Sequence, residues 1–161
     1  MSPHVQDHRQ PSTLPAAWLP RLIALLALVL ATAVPASPPE ALREAAAGGD
    51  ADAQARLGER LYRGDGVARD PAAAFTWLRR AAEQGSLTAQ RGLVVLYYNG
   101  EGTSQNLVEA LKWALIAAGQ DDPEATSHRD YLRARLAPFQ VREAEQLAAA
   151  WRPHSEAGAT R

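Results

Sequence analysis

The chain contains no cysteine. That excludes a disulfide framework, thiolate metal sites, a cysteine nucleophile and lipid attachment through sulfur. An oxidising compartment stays open, because a protein can live there without a bridge. Aromatic residues are scarce, at 6%, and alanine is abundant, which suits close-packed helices better than a sheet core. Neither sign of charge dominates: 17 Lys and Arg stand against 18 Asp and Glu, a formal net charge of -1. No basic excess therefore points to nucleic acid. Nor is there an unbroken apolar run of about twenty residues, the length a membrane-spanning helix needs. What remains is a chain of 161 residues, enough for a single domain.

The longest apolar run, LIALLALVLATAV, follows the polar start MSPHVQDHRQ and Arg21. Its length is that of a secretory h-region, and Val34 and Ala36 in VPAS suit a cleavage site. Residues 1–36 are expected to be a signal peptide cut after Ala36, with Ala33 as the second choice. The mature protein is then periplasmic or secreted, and touches a membrane only through its leader before cleavage. The alternative is an uncleaved anchor that tethers the chain.

Behind the leader the organising feature is self-similarity. GDADAQARLGERLYRGDGVARDPAAAFTWLRRAAEQ aligns without a gap on GSLTAQRGLVVLYYNGEGTSQNLVEALKWALIAAGQ, at a spacing of 36 residues. Ala53 pairs with Ala89, Gln54 with Gln90, Leu57 with Leu93, Tyr62 with Tyr98, Ala74 with Ala110 and Trp77 with Trp113. Ala81 and Ala82 pair with Ala117 and Ala118. In the bend, Gly64 and Gly66 match Gly100 and Gly102, while Arg63, Arg69 and Asp70 become Asn99, Gln105 and Asn106. The backbone requirement recurs and the chemistry drifts, which marks a structural turn. The same register runs backward, since Leu42, Ala45 and Ala46 fall 36 residues before Leu78, Ala81 and Ala82. Forward, the match ends after Ala125.

Each unit reads as two helices. Ala53, Leu57 and Leu61 recur every fourth residue as an apolar stripe, and Gly64 supplies the positive φ that ends the helix. Asp70 caps the second helix with Pro71 at its first position, Asn106 does the same in the next unit, and Asp121 or Asp122 precedes Pro123. Small alanines let helix axes approach, and Trp77 and Trp113 fill the space between successive pairs. The expected fold is all-α: a short right-handed α-solenoid of helix-turn-helix repeats with a C-terminal capping helix pair. Residues 37–120 hold the repeats (a half repeat at 40–49, then 50–85 and 86–120), residues 121–152 the cap, and residues 153–161 a disordered tail.

These residues resemble the Sel-one-like repeat family, relatives of the tetratricopeptide repeat. The resemblance rests on A-Q-A-R-L-G-E-R-L-Y-R-G-D-G-V-A-R-D followed by A-F-T-W-L-R-R-A-A-E-Q-G, Ala53 to Gly85. Departures occur where Val94 replaces the glycine at position 58, Thr103 replaces Val67, and Gly119 stands two residues before the closing glycine is due. The resemblance implies a solenoid that holds other proteins and does no catalysis, with the first helix of each pair lining the partner surface. It also brings to mind cysteine-rich members described as hydrolases, whose cysteines this chain lacks.

Candidate sites follow from that. The bend Gly64-Asp65-Gly66 lacks the strand and lysine of a phosphate loop and the alternating oxygens of a calcium loop. Ser127 and His128 point about 100° apart on a helix and cannot form a nucleophile–base pair; His128 and His154 read as solvated. Glu143 and Glu145 read as an exposed face, and Arg129, Arg133 and Arg135 as a mixed-charge one. Catalytic residues, metal ligands and cofactors are expected to be absent. A protein or peptide partner is expected at Arg56, Arg60 and Arg63 on the first repeat and at Val95, Leu96 and Asn99 on the second, where the face turns apolar. Against this stands the possibility that Val95 and Leu96 are covered by the cap. A small envelope hydrolase on the same scaffold is the second functional reading, and would need clustered polar groups in a cleft.

Overall fold

A computed structural model describes residues 40–154. The expected leader, and the expected tail from residue 155 on, lie outside the described residues. Seven helices and no strand occupy those described: α1 (Glu40–Ala47), α2 (Ala51–Arg63), α3 (Pro71–Glu83), α4 (Leu87–Asn99), α5 (Leu107–Ala118), α6 (Pro123–Arg133) and α7 (Pro138–Ala150). Every helix from α1 to α5 packs on its successor in the chain, and α5 receives α4, α6 and α7. The last two helices thus both lie on α5 rather than mainly on each other.

The helix ends obey local chemistry. Asp50, Asp70 and Asp122 each accept a hydrogen bond from the backbone N–H three residues on, at 2.7, 2.9 and 2.7 Å. Asn106 Oδ1 accepts from both Val108 and Glu109 at 3.1 Å. Ala137 before α7 has no side-chain oxygen to offer, so only half a capping box forms there: its N–H donates to Gln140 Oε1 at 3.1 Å. Gly64 and Gly100 close α2 and α4 at φ 75° and 71°. Each bend is then latched by one backbone bond, Asp70 N–H to Leu61 O at 2.8 Å and Asn106 N–H to Tyr97 O at 2.9 Å. The repeated glycines therefore serve a hairpin turn. Gly102 has a further reason to be glycine, because a Cβ there would lie 2.0 Å from the Pro71 carbonyl oxygen of the preceding repeat.

The register survives the departures noted in the sequence. Asp121 stands where Gly85 does one period earlier and adopts its left-handed conformation, with φ 59° against 101°. Asp122 then caps α6 as Ser86 caps α4, and Ala125 is fully buried like Ala89. So α6 takes the place of a third first helix. Between Asp121 and Asp122, the cap is Asp122.

Val94 is explained by its neighbour. A Cβ on Gly58 would fall 2.6 Å from Leu78 Cγ, and one on Gly92 3.0 Å from Leu78 Cδ1. One period on, the residue matching Leu78 is Ala114, and Val94 and Ala114 are both buried in the main core. Bulk has moved from the second helix to the first.

Two buried polar side chains hold the stack together. Gln54 Nε2 donates to Ala46 O at 3.1 Å, and Gln84 Nε2 donates to Gln54 Oε1 at 2.8 Å. Gln90 repeats this one period later, donating to Ala82 O at 3.4 Å and accepting from Gln120 Nε2 at 2.7 Å. Each glutamine ties its own hairpin to the last turn of the helix before it. Both are inaccessible to solvent, so their amides need these partners. Gln90→Ala is expected to destabilise by about 2 kcal/mol, the loss of two hydrogen bonds at about 1 kcal/mol each. Urea unfolding followed by far-UV circular dichroism measures it.

The tryptophans occupy matched positions with unequal cover. Trp113 is 3% exposed and lies in the main core, its ring edge-on to Trp151 at 6.1 Å. Trp77 packs, with Leu42 and Leu61, against the small cluster of Ala46, Ala53 and Leu57 yet stays half-buried, with the Arg80 guanidinium 5.1 Å from its ring. The chain end that covers Trp113 does not reach Trp77. That end continues past α7: Pro153 lies against Gly85, and His154 N–H donates to Glu83 O at 3.1 Å, which ties it to α3.

Candidate interaction groove

The first helices α2, α4 and α6 lie in sequence on one face, and three depressions run across it. Between α4 and α6, Val94, Val95, Tyr98, His128, Tyr131 and Leu132 enclose an apolar cleft of about 310 Å³. Between α2 and α4, a second cleft of about 380 Å³ has Leu78, Gly92 and Val95 within it and Glu59, Arg63, Arg91 and Glu124 at its edge. Val95 belongs to both and joins them. Glu59 and Arg63 in turn belong to a shallow third depression of about 130 Å³, completed by Arg56, Arg60 and Asp65.

Local folding puts these groups there. Arg56, Glu59, Arg60 and Arg63 follow the helical spacing along one flank of α2, beside the stripe that holds Leu57. Val95 and Tyr98 sit three apart on α4, and His128 and Tyr131 three apart on α6. The Tyr98 and Tyr131 hydroxyls share a hydrogen bond at 2.9 Å, which raises the Tyr98 phenol above its ordinary range. Their rings meet edge-on at 5.9 Å, and the Arg135 guanidinium lies 4.8 Å from the Tyr131 ring. His128 Nδ1 is buried in the cleft wall without a partner among the described residues.

Most charges in the groove are already paired. Arg91 holds Glu124 and lies 3.6 Å from Asp122; Arg63 is 3.6 Å from Glu59. Beside the groove, Arg129 donates to Asp130 at 2.8 Å, and that bond keeps the Asp130 carboxyl below the usual range. Arg133 pairs with Glu145 at 2.6 Å, so Glu145 is engaged rather than simply exposed. Arg56 and Arg60 have no carboxylate partner among the described residues.

Of the partner residues expected from sequence, the structure brings Arg56, Arg60, Arg63 and Val95 to this groove. Leu96 also lines the second cleft, but it is 1% exposed and part of the core, as in the alternative where it is covered, because α4 is an inner helix with neighbours on both flanks. Asn99 also stands apart, its Nδ2 donating to Glu101 Oε1 at 3.4 Å, and it lines none of the three depressions. His128, read as a solvated residue, instead forms part of the cleft wall. Sequence reasoning missed Tyr131 and Glu124 as well. The available signal was positional: Tyr131 falls 36 residues after Val95 and His128 36 after Gly92, but the loss of identity beyond Ala125 hid it.

Comparison with known proteins agrees with this architecture. The family model for the Sel1 repeat matches residues 51–86 and 88–122. Among solved structures, a protective antigen of uropathogenic Escherichia coli displaying an SLR fold is 37% identical, with a TM-score of 0.67 over 70% of this chain and 24% of that one. A Sel1 repeat protein from Oxalobacter formigenes is 27% identical, with a TM-score of 0.53 over 83% of this chain and 52% of that one. The chain thus spans about a quarter and about half of the length of these relatives. No curated protein matches it. Residues 51–122 are two tandem Sel1 repeats, the family whose model they match.

Proposed function

We propose that this protein is an exported, non-catalytic scaffold that holds a protein partner in the groove across α2, α4 and α6. The observation that carries the reading is the apolar cleft opening at Val95 on a face built from consecutive first helices. Apolar concave surface left uncovered on a small domain is where partners bind. The polar groups around it are engaged with one another, Arg91 with Glu124 and Tyr98 with Tyr131, an arrangement that suits holding a chain rather than moving protons. Export rests on the leader sequence ending near Ala36.

Val95 is half-buried, so Val95→Glu places a charge at the junction of the two clefts without entering the core. The expected outcome is an unchanged circular dichroism spectrum and loss of the proteins that the wild-type chain retains from envelope extract. Tyr131→Ala, at a residue 46% exposed, should weaken retention as well and leave the fold intact. Retention unaffected by either change would contradict the assignment. Leu96→Glu is expected to unfold the protein instead, since it buries an unpaired carboxylate.

A further inference from the structure

We infer that the occupant of the groove is a peptide segment that carries one large apolar side chain and an acidic residue. The inference rests on the reading that this groove is the partner site, and adds the chemistry of the partner. The apolar requirement comes from the cleft between α4 and α6, whose walls are Val94, Val95 and Leu132 with the Tyr98 and Tyr131 rings at its edge. Its volume of about 310 Å³ exceeds that of a single aromatic or long aliphatic side chain, so one such group enters. The paired tyrosine hydroxyls at the rim leave donor and acceptor capacity for a peptide backbone.

The acidic requirement comes from the opposite end. Arg63 is opposed by Glu59, and Asp65 closes the shallow depression, but Arg56 and Arg60 remain without a carboxylate among the described residues. Three guanidinium groups against two carboxylates leave this end positive, and planar guanidinium favours bidentate pairing with a carboxylate. In between, Arg91 is held by two carboxylates, Glu124 and Asp122, so no free cation stands there. The groove thus has an apolar pole and a cationic pole, with an ion-paired middle that offers an acid no free guanidinium.

A phage-displayed library of random decapeptides, selected on the immobilised full chain, tests this directly. The expected result is enrichment of peptides that carry Phe, Leu, Ile, Met or Trp together with an Asp or Glu. Their affinity should fall at least tenfold on Val95→Glu or Tyr131→Ala, and at least fivefold on the double variant Arg56→Glu, Arg60→Glu. Replacing the acid of a selected peptide with lysine should restore binding to that double variant. Selected peptides that depend on Val95 and Tyr131 but carry no acid would overturn the charge inference and leave the groove assignment standing. Peptides that bind the Val95→Glu and Tyr131→Ala variants as well as the wild type, or no enrichment at all, would overturn both.

Discussion

Trp113→Ala is expected to destabilise the protein by about 3–5 kcal/mol, the range for emptying a buried aromatic site, and Trp77→Ala by roughly half of that or less. The two residues share one position in the repeat, but Trp113 is 3% exposed and Trp77 is half-buried. Trp113 also carries Trp151, so truncation strands the end of α7. A loss of that size is a large fraction of the stability of a typical small domain. Urea unfolding monitored by far-UV circular dichroism reads both variants without relying on the fluorophore removed. Equal losses would mean that the chain end does not cover the second repeat as described.

The second large effect is a volume exchange. Gly58→Val should destabilise by about 3 kcal/mol, the upper end for overpacking a tight core, because the new Cβ would meet Leu78 Cγ at 2.6 Å. Leu78→Ala alone should cost about 2–5 kcal/mol as a cavity. Together they rebuild the pair that the next repeat already uses, Val94 with Ala114. The double variant is therefore expected to be more stable than Leu78→Ala alone, with a coupling energy of at least about 1 kcal/mol. Additive losses would show that the two repeats pack their hairpins by different rules.

Much of this architecture is readable from the sequence because it depends on short-range rules that repeat. Gly64 and Gly100 announce their turns, Asp70 and Asn106 their caps, and Trp77 and Trp113 the period. The glutamines were visible as a recurring pair at Gln54 and Gln90, but their role depends on where Gln84 and Gln120 lie in space. The pairing of Gly58 with Leu78 was equally hidden, since position 94 looks like a defect until position 114 is seen to have shrunk. For the groove, Arg56, Arg60 and Val95 could be reached from the change of polarity between repeats. Leu96 could not be separated from Val95 that way: adjacent residues on a helix face about 100° apart, and only the flanking helices decide which one is covered. Tyr131 and His128 belong to a helix that keeps the place of a first helix while losing its sequence identity. Burial and capping, through Ala125 and Asp122, preserve that place.

The most direct test of a partner-holding face on the first helices is amide chemical-shift mapping of the ¹⁵N-labelled full chain, titrated with the tightest library peptide. Perturbations are predicted to concentrate at Arg56 to Arg63, Arg91 to Tyr98 and His128 to Tyr131. Shifts confined to the second helices, around Thr76, Arg80 and Lys112, would place the partner on the other side of the stack and contradict the account.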